Sequence, residues 1–146
     1  MAYVGKYNHQ LDQKNRLRIP YRLKAVLGND FVITRGTRGC LFIYSVEEFE
    51  LRYTSKIDNI SISDDEENDA LSEILGYVTF PEEDNQGRFV LDAELKKLVG
   101  INKNVVFVGM LNRIELWSEE KYLSRHQDSS QEAFDSKMKS LKKFGI

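Results

Sequence analysis

Two nine-residue stretches, 72 positions apart, constrain what this chain can fold into. The first is Asp12-Gln13-Lys14-Asn15-Arg16-Leu17-Arg18-Ile19-Pro20, and the second is Asp84-Asn85-Gln86-Gly87-Arg88-Phe89-Val90-Leu91-Asp92. Each reads as a tight turn, a short strand and a residue suited to opening a helix. An aspartate side chain can bond the backbone two residues on. Asn15 and Gly87 are residue types that take a positive φ at low cost. The match continues at Leu23 with Leu95 and Gly28 with Gly100. One extra residue then moves the offset to 73, matching Gly36 with Gly109, Tyr44 with Trp117, Ser45 with Ser118 and Phe49 with Tyr122. A register this long marks an internal duplication.

Local patterning gives the elements around each stretch. Residues 5–11 have strand character, and Leu17 and Ile19 share one strand face while Arg16 and Arg18 share the other. Pro20 suits the first position of a helix over Tyr21–Leu27, which Gly28 ends. Phe31–Thr34 and Cys40–Tyr44 read as a hairpin around a turn at Arg35–Gly39. Ser45 and Glu48 have capping-box spacing for a helix running to about Ile57. Asp58–Asn68 reads as an acidic linker, followed by a helix near Asp69–Leu75 and strand character over Tyr77–Phe80. Residues 118–146 read as helical. The expected organisation is a first half at 1–57, an acidic linker and helix at 58–76, a second half at 77–125, and a C-terminal helix at 126–146.

Each half spans about 70 residues, a size at which one core supplies only a few kcal/mol, so the halves are expected to lean on each other or on other chains. The N-terminal residues lack a signal peptide's apolar region, and no apolar run is long enough to span a bilayer. The single cysteine, Cys40, excludes an intrachain disulfide and starts an apolar strand as a core residue. The expectation is a soluble intracellular protein. Its net charge of −2 hides a polarised chain. Residues 1–40 carry eight Lys/Arg against two acids, net +6, whereas residues 45–75 carry two against ten, net −8. A basic end of this kind can meet an anion, and both ends can equally be solvated faces.

On the two Asp-x-x-Asn/Gly-Arg stretches and their spacing, the chain resembles the MraZ family of AbrB-like swapped-hairpin proteins over about residues 1–125. The resemblance implies an α+β fold of tandem pseudo-twofold swapped-hairpin β-barrel units with additional helices. It also implies a sequence-specific transcriptional regulator that binds repeated elements in double-stranded promoter DNA upstream of a bacterial division and cell-wall gene cluster. Such a protein would be cytoplasmic, nucleoid-associated and a ring-shaped homo-oligomer. The chain departs from the family motif at Asn15, which replaces glycine, and at Phe89 and Asp92, which replace leucine and proline. Asp92 can still cap a helix.

Comparing the copies separates fold from function. Lys14 becomes Gln86, Arg18 becomes Val90 and Arg22 becomes Glu94, while Arg16/Arg88 and Lys24/Lys96 stay basic. Cations needed for folding would recur in both halves. The expected DNA-binding residues are therefore Lys14, Arg16, Arg18, Arg22 and Lys24, with Arg35, Arg38 and Arg88 as weaker contacts. Lysine and arginine neutralise phosphates, and arginine can bond two acceptors of guanine at once. The resemblance makes Arg16 the central contact. The structural alternative is that Arg16 and Arg88 pair with Asp12 and Asp84 to hold the turns. His9, His126 and Cys40 lack ligand spacing, no nucleophile–base pair stands out, and no phosphate loop is present. No enzyme activity, cofactor, metal, membrane or small-molecule substrate is expected. The competing functional reading is a ring-forming assembly module that acts through protein partners.

Overall fold

The computed structural model of the chain describes residues 2–146. Its elements run in the order β1 (Lys6–Gln10), β2 (Arg16–Arg18), α1 (Tyr21–Leu27), β3 (Phe31–Arg35), β4 (Leu41–Ser45), α2 (Val46–Arg52), α3 (Asp65–Leu75), β5 (Arg88–Val90), α4 (Ala93–Leu98), β6 (Asn104–Gly109), β7 (Ile114–Ser118), α5 (Glu119–Arg125) and α6 (Gln131–Ser140). Short 3-10 turns follow α2 at Thr54–Asn59 and α6 at Lys142–Phe144. The run β2–α1–β3–β4–α2 recurs as β5–α4–β6–β7–α5, so the duplication read in the sequence is a duplication of elements in order.

The two halves interleave. β1 of the first half pairs with β6 of the second, and β2 pairs antiparallel with β5. A five-stranded antiparallel sheet runs β1–β6–β7–β4–β3, joined between halves at β4 and β7. In the β2–β5 ribbon, Leu17 lies directly opposite Phe89, and both are buried. One core collects Leu17, Ile19, Leu23 and Leu27 with Phe89, Leu91, Leu95 and Val99, and Phe31 meets Phe89 edge-on at 5.7 Å. Burying such a side chain contributes about 1.5–3 kcal/mol. Neither half holds this core alone. Alternation along β6 sends Val105 and Phe107 into it and Val106 to a second cluster with Cys40 and Trp117.

The fold is α+β with antiparallel sheets, as the resemblance implies, but the expected barrel units are not closed among the described residues. Symmetry would lay residues 77–83 beside β3 as β1 lies beside β6. Only Thr79 does so, exchanging backbone hydrogen bonds of 2.8 and 3.0 Å with Ile33. Pro81 follows two residues later and has no N–H to extend a ladder.

Other boundaries move for identifiable reasons. Pro20 takes the capping position rather than the first helical one, its carbonyl accepting from Lys24 N at 2.8 Å. The helix after Ser45 gives way to the 3-10 turn at Arg52 rather than running to Ile57. The acidic stretch is only partly a linker. Asp64 caps α3 by accepting from Glu67 N at 2.9 Å, and Asp65, Glu66 and Glu67 form the first turn. Carboxylates suit a helix N-terminus, so the charge run is helix-starting. The C-terminal region breaks between α5 and α6, where Ser130 caps the latter.

Candidate nucleic-acid interface

The two turns are built alike from their aspartates. Asp12 Oδ1 accepts from the backbone N–H of Lys14 and of Arg16, both at 2.9 Å. Its Oδ2 accepts from Arg16 Nε at 2.7 Å. Asp84 Oδ1 accepts from Gln86 N at 2.8 Å and Arg88 N at 2.9 Å, and its Oδ2 from Arg88 Nε at 3.0 Å. Asn15 and Gly87 bend the chain with φ of 59° and 75°, the left-handed geometry read from the pairing of those residue types. Bonds from Arg16 N–H and Arg88 N–H hold the Asp12 and Asp84 carboxyls below the usual aspartate range, with the arginine side chains adding to the effect.

Interleaving brings the turns side by side. Arg16 Nη1 stands 3.9 Å from Asp84 Oδ2, and Arg88 Nη1 stands 4.0 Å from Asp12 Oδ2. The result is a pseudo-twofold ring of two arginines and two aspartates. Each arginine spends Nε on its own aspartate. Neither Nη group of Arg16 or Arg88 forms a hydrogen bond among the described residues. Guanidinium has five donors, so a buttressed arginine still has several to offer an acceptor from outside. The pairing that stabilises the turn and a contact with DNA are therefore compatible in one residue.

Around this ring the halves differ. Arg18 is exposed, and its Nε donates to the Gln86 carbonyl of the second turn at 2.9 Å. On β1, His9 has a lowered pKa from burial and from the Arg18 charge. Lys14 and Arg22 are exposed, and no side-chain hydrogen bond or ion pair holds either among the described residues. Lys24 is occupied: its Nζ pairs with Glu83 and lies 5.1 Å from the centre of the Phe31 ring. Lys96, its counterpart, donates to Asn15 Oδ1 at 2.9 Å.

Arg35 and Arg38 are not brought to this surface. Arg35 ends β3, roughly 13 Å along the strand from its start at Phe31, and Arg38 lies in the turn after it. Arg35 lies over Tyr77, and Arg38 bonds the buried Glu115 at 2.5 Å and covers Trp117. Residues missed by sequence reasoning are Gln86, whose carbonyl orients Arg18, and Glu83, which takes Lys24. Glu83 had no signal, because it aligns with the buried Leu11 of the other half, and Gln86 acts through its backbone carbonyl, which its residue type does not announce.

A family model described as "MraZ protein, putative antitoxin-like" matches the chain twice, over residues 2–73 and 74–144. The chain belongs to the MraZ family. It is 35% identical over 144 residues to the transcriptional regulator MraZ of Clostridium beijerinckii, covering 99% of both chains. It is 33% identical over 144 residues to that of Lachnoclostridium phytofermentans, covering 99% of this chain and 98% of the relative. With the MraZ of Clostridium tetani it shares 35% over 123 residues, 82% of this chain and 84% of the other. These relatives are named as regulators, not as enzymes. The two MraZ copies meet within the last turn of α3, and each supplies one aspartate and one arginine to the ring. No helix among the described residues is long and apolar enough to cross a membrane, and none of their His, Cys, Asp or Glu residues form a metal-holding group.

Proposed function

We propose that this chain is a sequence-specific DNA-binding transcriptional regulator that uses the paired turns as its reading surface. The supporting observation is the asymmetry between the copies around a symmetric ring: the first copy supplies Lys14, Arg18 and Arg22 where the second supplies Gln86, Val90 and Glu94, and interleaving carries Arg18 across to the second turn. Arg16 is the central contact. Its Nε is fixed by Asp12, so its remaining donors are presented with little conformational freedom to lose, which favours recognition of a planar acceptor pair. Lys14, Arg18 and Arg22 neutralise phosphates; Lys24, its charge offset by Glu83, adds the least of the five, and Arg88 gives a weaker contact from the second copy. A two-stranded ribbon such as β2–β5 has dimensions that a major groove admits.

The target is double-stranded promoter DNA with repeated elements, ahead of a bacterial division and cell-wall gene cluster. The protein acts in the cytoplasm, associated with the nucleoid, as a ring-shaped homo-oligomer. Repeated sites suit an assembly that presents several equivalent surfaces, since linked binding events gain effective concentration. The swapped-hairpin reading is supported by the interleaved pairing of β1 with β6 and β2 with β5.

Gel-shift titration against DNA upstream of its own gene, over a salt series, tests this reading. Specific binding is expected at moderate salt, with log affinity falling linearly against log salt. Equal affinity for upstream and scrambled DNA would overturn it and favour an assembly module acting through protein partners.

A further inference from the structure

The body of the fold leaves one helix without a seat. No residue of α6 is buried, yet Phe134, Met138 and Leu141 follow helical spacing along one face, 58%, 42% and 42% exposed. Phe144, just beyond, is 67% exposed. A stripe of this kind normally faces another element, because amphipathic helices draw most of their stability from packing. Lysines surround it. Residues 131–146 carry Lys137, Lys139, Lys142 and Lys143 against Glu132 and Asp135.

A complementary surface lies in the other half. The 3-10 turn after α2 and the loop leading to α3 form an open cleft of about 560 Å³, lined by Ile57, Ile60 and Ile62 with Asp58 at its wall. Ile62 is 94% exposed. Residues 58–75 contain seven acids and no Lys or Arg. The cleft is held in shape by Asn68, whose Nδ2 donates to the carbonyls of Ser61 and Asp64, both at 2.7 Å.

We infer that the apolar stripe of α6 seats in the isoleucine cleft of a second copy of this chain. Apolar faces meet apolar, and the lysines meet the acids at the rim. Charge selects the pairing: stripe against stripe sets lysines together, and cleft against cleft sets carboxylates together. The contact therefore joins unlike surfaces, and we take it as heterologous, each copy giving its stripe to one neighbour and receiving another at its cleft, because that is the arrangement that builds the proposed ring. Repetition of such a contact gives a closed ring when the rotation per copy divides a full turn. This inference rests on the assembly proposed above and names its contact.

Two singly substituted chains, Ile62→Cys and Phe134→Cys, are mixed, allowed to exchange and oxidised mildly. Cys40 does not interfere, because it is fully buried and its thiol is pushed up to about 12. A disulfide-linked dimer containing one of each variant is expected. Exclusive linkage of like variants, or none within assembled protein, overturns the inference. Native mass measurement on Phe134→Ser/Met138→Ser supplies the second arm. Loss of the assembled species with unchanged far-UV circular dichroism is expected, since neither residue is in the core. An assembly that persists in this variant overturns the stripe-to-cleft contact and leaves the oligomer reading standing. A monomeric unsubstituted chain overturns both. Partial recovery of assembly when Lys137→Glu/Lys139→Glu is mixed with Asp65→Lys/Glu66→Lys supports the charge pairing.

Discussion

The first and second turns are alike in their hydrogen bonds and unlike in the charged side chains that each copy supplies. Each has an aspartate taking two backbone N–H groups and one arginine Nε, and each bends at a residue with positive φ. The first copy supplies Lys14, Arg18 and Arg22, with Arg18 reaching across to the second turn; at the matching positions the second copy supplies Gln86, Val90 and Glu94. Folding requirements account for what is common, because β2 and β5 must meet with Leu17 opposite Phe89 in one shared core. They do not account for the added cations. The difference is what the proposed DNA-binding role of the first copy rests on.

The largest effect should come from attacking what the halves share. Phe89→Ala is expected to cost about 3–5 kcal/mol and Leu17→Ala about 2–5 kcal/mol, because both side chains are buried in the same core. Denaturant unfolding with a single transition for both variants checks this. Separate transitions for the two halves would break the claim of one interleaved core.

Next comes the turn backbone. Gly87→Ala is expected to cost about 1 kcal/mol, while Gly87→Asn should cost less than about 0.5 kcal/mol. There is room for a Cβ, its nearest neighbours being Glu83 at 3.8 Å and Arg18 at 4.0 Å, so the loss comes from φ rather than from a clash. Thermal unfolding of both variants gives the ranking; equal losses would show that the turns are not interchangeable.

A smaller effect distinguishes the surroundings. Lys14→Gln should reduce the slope of log affinity against log salt by about one and weaken binding evenly across DNA sequences. Gln86→Lys in that variant should restore part of the slope without restoring preference for the upstream DNA. Gel shifts at four salt concentrations read both quantities.

The mildest test is acid. Asp12 and Asp84 have carboxyls held below their ordinary value, so they add stability above the unfolded pKa near 3.9. That contribution is lost as the pH falls through the lowered folded values. Asp12→Asn and Asp84→Asn should each flatten the acid limb of the stability curve by similar amounts, since the two cages are alike. Only one of them flattening it would mean that the cages differ.

Much of the fold was legible because it is local. Asn15 matched with Gly87 announced a left-handed bend, and the bend is present at both. Ser45 announced a helix cap, and both it and its match Ser118 accept a backbone N–H three residues on at 3.1 Å. Arg38 and Leu111 also share a positive φ at the 73-residue offset, which neither residue type signals. Sequence reasoning failed where partners lie far apart in the chain. Lys24 reads as a free cation until folding sets Glu83 against it. Arg18 reads as one side of a strand until the second turn offers the Gln86 carbonyl. The acidic stretch reads as linker because charge runs usually are, while Asp64 makes it the start of α3. At the candidate site, residue types distinguished the first copy from the second, but the ring joining Asp12, Arg16, Asp84 and Arg88 depends on interleaving that no local pattern carries.

The central claim is that Arg16 serves binding as well as folding, whereas Arg88 serves mainly folding. Arg16→Ala and Arg88→Ala, each verified by circular dichroism and native mass, are titrated side by side against upstream and scrambled DNA. Arg16→Ala is expected to weaken specific binding by about 1–3 kcal/mol, roughly 5- to 150-fold in Kd, and to erase most of the preference for upstream DNA. Arg88→Ala should weaken it by less and keep the preference. Loss of specific binding in folded, assembled Arg88→Ala, with Arg16→Ala still discriminating between the two DNAs, would contradict the account.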